Sequence, residues 1–347
     1  MMSLQDGILT ILIITASVVL GSIVLHLGWE AVGAWRINRA GPRPLAAPRH
    51  VLWRDPGAIE RLDLSAGPGG ADSVPAAPFT FLEEHDGGSH PCVSVRDARG
   101  RRWRVKWGEE VRSENFAVRI VWACGYFAET TYFVPEGSID GAEDLGRARA
   151  CIDEQHRFTD ARFELDDPSV KKLFEEHGWA WNDNPFVGTR ELQGLKILVM
   201  LLSNWDTKDR RDVARGSNTA IFEYPLAGGA REARYLITDW GGSMGRWGSN
   251  IVTRGRWDPA GFEDQTPQFV SSAEEGIVKF GYTGQRTEDV AAGITTDDVR
   301  WLSRLLRRIT DTQLVSALRA SGADEDEAGR FSGALRTRIE QLQRIAA

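Results

Sequence analysis

Four charged side chains occur in an order that suits phosphate chemistry. Lys106 lies in the alternating stretch WRVKWG, and Glu114 begins the apolar face of the segment that follows. Asp206 ends a long apolar run in SNWDTKD, and Asp239 ends the apolar stretch LITDWGG. A lysine neutralises phosphate, a carboxylate fixes that lysine, one aspartate orients the nucleophile, and another binds a divalent cation with an asparagine. Displacement at phosphorus spreads negative charge, which cations stabilise. The four residues therefore predict a phosphoryl-transfer site.

Each of these residues taken singly has a simpler explanation. A lysine in a strand is usually solvated, and a glutamate in the first turn of a helix is favoured by the helix dipole. An aspartate in a loop often hydrogen-bonds its own backbone. The ordered combination of strand lysine, helix glutamate, helix-end NWD and strand-end DWGG is much less expected by chance, so the order carries the prediction.

The elements that must position these residues can be predicted from hydrophobic periodicity. The stretches FTFLEE, CVSVRDA and RRWRVKW alternate apolar and polar residues and predict three antiparallel strands, with the turn DGGSH between the first two. Segment 109–125 has helical periodicity, and one face carries Glu114, Ala117, Val118, Val121 and Trp122. The lysine therefore ends the third strand, and the glutamate lies on the next helix.

The second half of the chain is predicted to be mainly helical. SVKKLFEEHG predicts a short helix ending at Gly178, and Thr189 can cap the apolar helix ELQGLKILVMLLSNW. TAIFEY and ARYLITD predict strands, and the chain from Thr295 onward predicts helices. A sheet-rich part followed by a helical part predicts an α+β fold of two lobes, with a cleft between them as the place for a site.

The amino-terminal segment predicts a membrane anchor. Residues 7–29 are almost entirely apolar and long enough to cross a hydrocarbon core, whereas residues 1–6 form a short tail. Arginines follow this segment, so the positive-inside rule predicts one span with a cytoplasmic body; a secreted or periplasmic body is the alternative. Residues 30–78, rich in proline, glycine and alanine, predict a linker before a domain at 79–347.

The overall composition excludes some classes of function. The chain of 347 residues has a formal net charge of −7, which argues against a general nucleic-acid binder. The three cysteines are far apart and form no Cys/His cluster, so a structural zinc site is not expected.

The order of motifs resembles the atypical kinase-like fold of HipA-type, CotH-type spore-coat, secretory-pathway and phosphatidylinositol kinases. VKWGEEVRSENFAVRIVWACGYF resembles the lysine strand and following helix of that group, NWDTKD resembles its catalytic loop, and ITDWGGSMG its metal-binding motif. Longer stretches, among them DNPFVGTRELQGLKILVMLLSNWDTKD, resemble an uncharacterised bacterial family of hypothetical proteins. The resemblance implies an amino-terminal lobe at about 79–150 and a mostly helical lobe at about 151–347.

The resemblance also implies roles for individual residues in an ATP- and Mg²⁺-dependent reaction. Lys106 would bind the nucleotide phosphates and pair with Glu114, for which Glu110 is a competing partner. Asp206 would be the catalytic base, and Lys208 would reach the transferred phosphoryl group. Asp239 would bind magnesium. The glycine turn 86–90 would contact phosphates through its backbone N–H groups, which implicates Gly87, Gly88 and Ser89.

The asparagine that completes the metal site departs from the family pattern. In kinases it follows the catalytic aspartate by about five residues, where this sequence has Arg211. We expect Asn218 to serve instead, with RDVARGS as an insertion. If Arg211 instead stands in place of the metal-binding asparagine, the chain is a catalytically inactive, nucleotide-binding or scaffolding pseudokinase. AMP transfer on the same fold is a further alternative, and the acceptor is a protein, a lipid or a small molecule.

Overall fold

The computed structural model describes residues 48–173, 178–206, 218–227, 230–248 and 250–346. Within these ranges the chain is a mixed α and β structure, as the sequence predicts. No helix in this part of the chain is long and apolar enough to cross a membrane. The predicted tail 1–6, the predicted span 7–29, Lys208 and Arg211 lie outside the described residues.

Five strands form a closed barrel that carries Lys106. They are β2 Phe79–His85, β3 Cys92–Arg96, β4 Arg102–Lys106, β5 Thr131–Asp140 and β6 Arg157–Asp166, joined in the order β2-β3-β4-β6-β5. A short parallel pairing of β2 with β5 closes it. Alternation of apolar residues along the strands fills its interior with buried side chains, including Val93, Val95, Trp103, Val105 and Phe163. The predicted three-stranded meander is confirmed as β2–β4.

A second sheet contains four strands in the spatial order β1-β9-β8-β7. Its strands are β1 Arg49–Val51, β7 Lys171–Leu173, β8 Thr219–Pro225 and β9 Arg231–Ile237. Strand β1 is parallel to β9, whereas β8 is antiparallel to both of its neighbours. Strand β9 ends two residues before Asp239, so this sheet positions the predicted metal ligand.

Most of the remaining secondary structure in the described chain is helical. They are α1 Val111–Ala123, α2 Arg190–Leu201, α3 Pro259–Gln265, α4 Thr287–Ala291, α5 Thr296–Leu306, α6 Asp311–Arg319 and α7 Glu325–Ala346, with a hairpin of β10 Val270–Glu274 and β11 Ile277–Phe280 between α3 and α4. The predicted Thr189 cap is confirmed, because the Leu192 N–H donates to its hydroxyl over 3.2 Å. The long apolar helix α2 is buried on nearly all sides.

Three segments differ from their sequence-based predictions. The predicted short helix SVKKLFEEHG is wrong at Lys171–Leu173, which is strand β7, because pairing with β8 outweighs local helical propensity. Residues 48–78, predicted as a linker, contribute β1 and bury Leu52, Ile59 and Leu64 in the main core. The barrel extends to Asp166 through β6, beyond the lobe boundary near residue 150 that the resemblance implies.

Candidate active site

A cavity of about 1060 Å³ brings several of the predicted residues together. Its lining comes from the barrel, from the amino-terminal end of α1, from β8 and from the segment after β9. The predicted site residues that line it are Gly87, Gly88, Ser89, Lys106, Glu114 and Asp239. Residues more than 150 positions apart in the sequence therefore meet around one space large enough for a small-molecule ligand.

Lys106 and Glu114 face the same cavity but do not form the expected ion pair. The Glu114 carboxylate is bound by the guanidinium of Arg162, which is 1 % exposed and also contacts Glu164. Arg162 lies opposite Lys106 in the register between β4 and β6. Lys106 forms no ion pair with any residue in the described part of the chain, so its ammonium group remains available to a ligand in the cavity.

Burial raises the pKa of Glu114 to about 7, even though the nearby cations Arg162 and Lys106 favour its ionised form. The charges of Asp239 and Glu110 add to this rise. A carboxyl group that keeps its proton near neutral pH costs less to bury, and a bound cation would favour loss of that proton. The local charge at Glu114 therefore depends on what occupies the cavity.

Glu110 belongs to a polar cluster at the start of α1. Its carboxylate contacts His90 Nδ1 at 3.3 Å and Arg256 Nη2 at 3.2 Å. Burial acts to raise the pKa of Glu110, but the hydrogen bond from His90 and the charges of His90, Arg256 and Lys106 together lower it. The hydrogen bond to Glu110 in turn raises the pKa of His90. The cluster connects the end of the glycine turn, helix α1 and the segment after Asp239.

Asp206 and Asn218 are neighbours, although neither is among the residues that line the cavity. Asn218 Nδ2 donates to the Asp206 carbonyl oxygen over 2.9 Å, and Gln285 Nε2 donates to Asp206 Oδ1 over 2.9 Å. Asn204 joins them to the metal motif, because its amide donates to the Asp239 carbonyl oxygen at 3.2 Å and accepts from the Asp206 N–H at 3.3 Å. Both residues are therefore fixed beside the end of β9.

The two glycines after Trp240 allow this close packing. A Cβ atom at Gly241 would lie 2.6 Å from the Glu110 side chain, and one at Gly242 would lie 2.8 Å from Asn204 Oδ1. Any larger residue at either position would separate Asp239 from α1 or from the Asp206 segment. The pair of glycines in DWGG is thus a packing requirement of the site.

The carboxylates of the site suit a divalent cation. Oxygen atoms of Glu110, Glu114 and Asp239 lie within 4.8 Å of one another. Asn218 Oδ1 is buried and has no hydrogen-bond partner among the described residues, which is costly for an amide oxygen. Carboxylate and amide oxygens are the donors that magnesium and calcium prefer. The three carboxylates, which lie within reach of one another, therefore fit a hard divalent cation.

Arg162 and Glu129 are site residues that sequence reasoning missed. Both lie in or next to strands with mixed polar sequence, where charged residues usually face water. The alternation in RFTDARFELD provides a weak signal, since Phe158, Ala161 and Phe163 are buried in the barrel. The pairing of Arg162 with a helix glutamate depends on long-range strand register, so no pattern in the neighbouring sequence predicts it.

Comparison with known proteins adds little to this geometry. Neither a protein-family model nor a curated protein matches the chain. A solved structure described as "Crystal structure of the golgi casein kinase" aligns with 85% of this chain and 79% of that chain, at 10% sequence identity and a TM-score of 0.32. A TM-score at this level is too low to carry an argument about function.

Proposed function

We propose that the chain is a membrane-anchored, ATP- and magnesium-dependent phosphotransferase with a two-lobed, kinase-like architecture. The observation that supports it most is the convergence of Lys106, Glu114, Asp239 and the glycine turn on one cavity. A phosphotransferase needs a cation for the phosphates, oxygen ligands for a metal and a backbone surface that approaches phosphate closely. The apolar segment 7–29 supports the membrane anchor.

Each residue has a part in this proposal. Lys106 binds nucleotide phosphates, and the turn 86–90 contacts them through backbone N–H groups. Asp239, with Glu110 and Glu114, holds a magnesium ion, which supplies neutralisation of phosphate charge when bound. Arg162 orients Glu114 toward this group, so Glu114 acts with the metal ligands instead of pairing with the lysine.

Asp206 is the proposed catalytic base, and Asn218 is proposed to complete the metal site. The hydrogen bond from Gln285 fixes one oxygen of Asp206, and the buried Asn218 Oδ1 is left for a ligand. Lys208 remains a candidate for contact with the transferred phosphoryl group. The acceptor, whether protein, lipid or small molecule, is open within this proposal.

The first test is binding of nucleotide to the purified full-length chain. Millimolar MgATP should raise the melting temperature, because a ligand at a hundredfold excess over Kd adds about 2.7 kcal/mol to the free energy of unfolding. Lys106→Ala should abolish this rise. Lys279→Ala, on the exposed edge of β11, is the matched control and should retain it. An unchanged melting temperature of the wild type with millimolar MgATP would show that the nucleotide-binding proposal is wrong.

A nucleotide-binding module without catalysis is the second candidate. It is favoured by the position of Asp206, which is engaged by Gln285 and does not line the cavity. The phosphotransferase would be favoured if the wild type turns over ATP labelled at the γ-phosphate and Asp206→Asn does not. Asp206→Asn should then still be stabilised against heat by MgATP. Stabilisation without turnover in the wild type would favour the binding module. Transfer of label only from the α-phosphate would indicate AMP transfer.

A further inference from the structure

Arg147 binds the glycine turn from outside the cavity. Its guanidinium donates to three carbonyl oxygens in this turn: Asp86 at 3.2 Å, Gly88 at 3.0 Å and Ser89 at 2.9 Å. Residues 86–90 all line the cavity, whereas Arg147 does not. One side chain that does not line the cavity therefore binds three of the five carbonyl oxygens of the turn.

The planarity of the peptide bond determines where the N–H groups of this turn point. In a trans peptide the carbonyl of one residue and the N–H of the next point in opposite directions. Because Arg147 binds the carbonyls of Asp86, Gly88 and Ser89, the N–H groups of Gly87, Ser89 and His90 point away from the guanidinium. None of these three N–H groups donates a hydrogen bond to any described residue.

Arg147 is itself held in place by the strand that leads into the turn. Glu84, near the end of β2, accepts hydrogen bonds from the Gly146 N–H at 2.6 Å and the Ala148 N–H at 2.7 Å. These two N–H groups flank Arg147, so the same strand orients the arginine and begins the turn that the arginine binds. The arrangement fixes the conformation of the turn before any ligand arrives.

We propose that Arg147 is a positioning residue that aims the N–H groups of Gly87, Ser89 and His90 at the phosphates of a polyphosphate ligand in the cavity. Successive N–H groups directed to one side form a concave site for an anion. Binding the carbonyl oxygens to a cation also removes the negative ends of the peptide dipoles from competition with that anion. The class of ligand, a polyphosphate, comes from the proposed function, and the inference rests on that function in this respect.

The test compares Arg147→Ala with Arg149→Ala in the full-length chain. Arg149 lies in the same short helical turn, is exposed, and forms no hydrogen bond or ion pair with the described residues, so it is a matched control. The probe is magnesium tripolyphosphate, titrated by calorimetry, with adenosine as a second ligand. We expect the Kd for tripolyphosphate to rise about tenfold or more in Arg147→Ala and to stay within about twofold in Arg149→Ala. The Kd for adenosine should not change.

Amide hydrogen exchange distinguishes a positioning role of Arg147 from a general contribution to stability. Tripolyphosphate should slow exchange in the peptide containing residues 86–90 of the wild type, but not of Arg147→Ala. Arg147→Lys keeps the charge but cannot span three carbonyl oxygens, so it should behave like the alanine variant. Lysine rescue of binding and protection would show that charge, and not orientation, matters, and would overturn the inference.

Failure of this inference can be separated from failure of the proposed function. Wild-type and Arg147→Ala chains with equal Kd values for tripolyphosphate would overturn the inference, whether or not ATP is turned over. Absence of tripolyphosphate binding to the wild type would overturn it as well. Arg147-dependent binding of tripolyphosphate without any use of ATP would support the inference and contradict the phosphotransferase proposal.

Discussion

Arg162 controls the electrostatics at the centre of the candidate site. Burial opposes its charge, but the carboxylates of Glu114, Glu164 and Glu129 outweigh burial and raise its pKa. The same cation lowers the pKa of Glu164 against the effect of burial. Glu129 has less compensation, so burial, and after it the charge of Glu164, raise its pKa to about 8. One arginine thus leaves some neighbouring carboxyl groups ionised and others protonated.

The raised pKa of Glu129 predicts a specific pH dependence of stability. Between its usual value of 4.5 and about 8, the folded chain keeps this proton while the unfolded chain releases it, so the free energy of unfolding falls as pH rises. Glu129→Gln should reduce the fall in melting temperature between pH 5 and pH 8 by a few degrees. That shift corresponds to a change of about 1–2 kcal/mol in the free energy of unfolding.

Glu136→Gln is the control for this measurement. Glu136 is exposed on β5, so its replacement should leave the dependence of melting temperature on pH unchanged. Thermal denaturation monitored across the pH range is sufficient. A profile of Glu129→Gln that parallels the wild type would contradict the assigned protonation of Glu129.

At the scale of elements, helix α7 supports the segment that carries Asp206. Arg338 of α7 is fully buried and donates to the Leu201 carbonyl oxygen at 2.8 Å, at the end of α2, and to Ser203 Oγ at 2.8 Å. Ser203 has a φ of 57°, an unusual value for a residue other than glycine. Carbonyls at a helix end lack intrahelical partners, and the arginine satisfies one of them. The carboxy-terminal helix therefore holds the backbone three residues before Asp206.

Replacement of Arg338 should destabilise the protein strongly. The guanidinium also donates to the Phe262 carbonyl oxygen and the Thr266 hydroxyl, and burial lowers its pKa. Arg338→Met should leave these acceptors buried and unpaired, at a cost of about 3 kcal/mol or more in the free energy of unfolding. Chemical denaturation would measure it, with the exposed Arg344→Met of the same helix as control. Equal midpoints for the two variants would be inconsistent with this role.

At the scale of the molecule, the elements that line the cavity pack on two separate hydrophobic clusters. One fills the barrel, and the other joins α1, α2, the second sheet and the carboxy-terminal helices. Helix α1 belongs to the second cluster through Phe116, Ala117 and Val121, while its first turn contributes Glu110 and Glu114 to the cavity. A ligand in the cavity would therefore contact elements that pack on both clusters, and it would stabilise those elements together.

Nucleotide binding should accordingly slow amide exchange on both sides of the cavity. We expect MgATP to protect β4, which contributes Arg104 and Lys106, and also β8, which contributes Phe222 and Tyr224. Hydrogen exchange with mass spectrometry of the full-length chain would detect both effects, with magnesium chloride alone as control. Protection confined to the barrel or to the second sheet would argue against a ligand held between them.

The sequence by itself determined most elements and their order. Alternation predicted β2, β3 and β4, helical periodicity predicted α1, and the Thr189 cap with its apolar run predicted α2. These signals are local, because side chains two or three to four residues apart already decide which face of an element is buried. Lys106, Glu114 and Asp239 could be proposed as a group for the same reason, since each lies at a recognisable end of a predicted element.

Only the tertiary structure decided which of these residues touch. The register between β4 and β6 puts Arg162 opposite Lys106, and Arg162 is thereby the partner of Glu114. The hydrogen bond between Asn218 and Asp206 joins residues that are 12 positions apart, and β7 forms because β8 offers it a partner. Ion pairs, strand pairing and close backbone approach depend on groups far apart in the chain, so local periodicity carries no information about them.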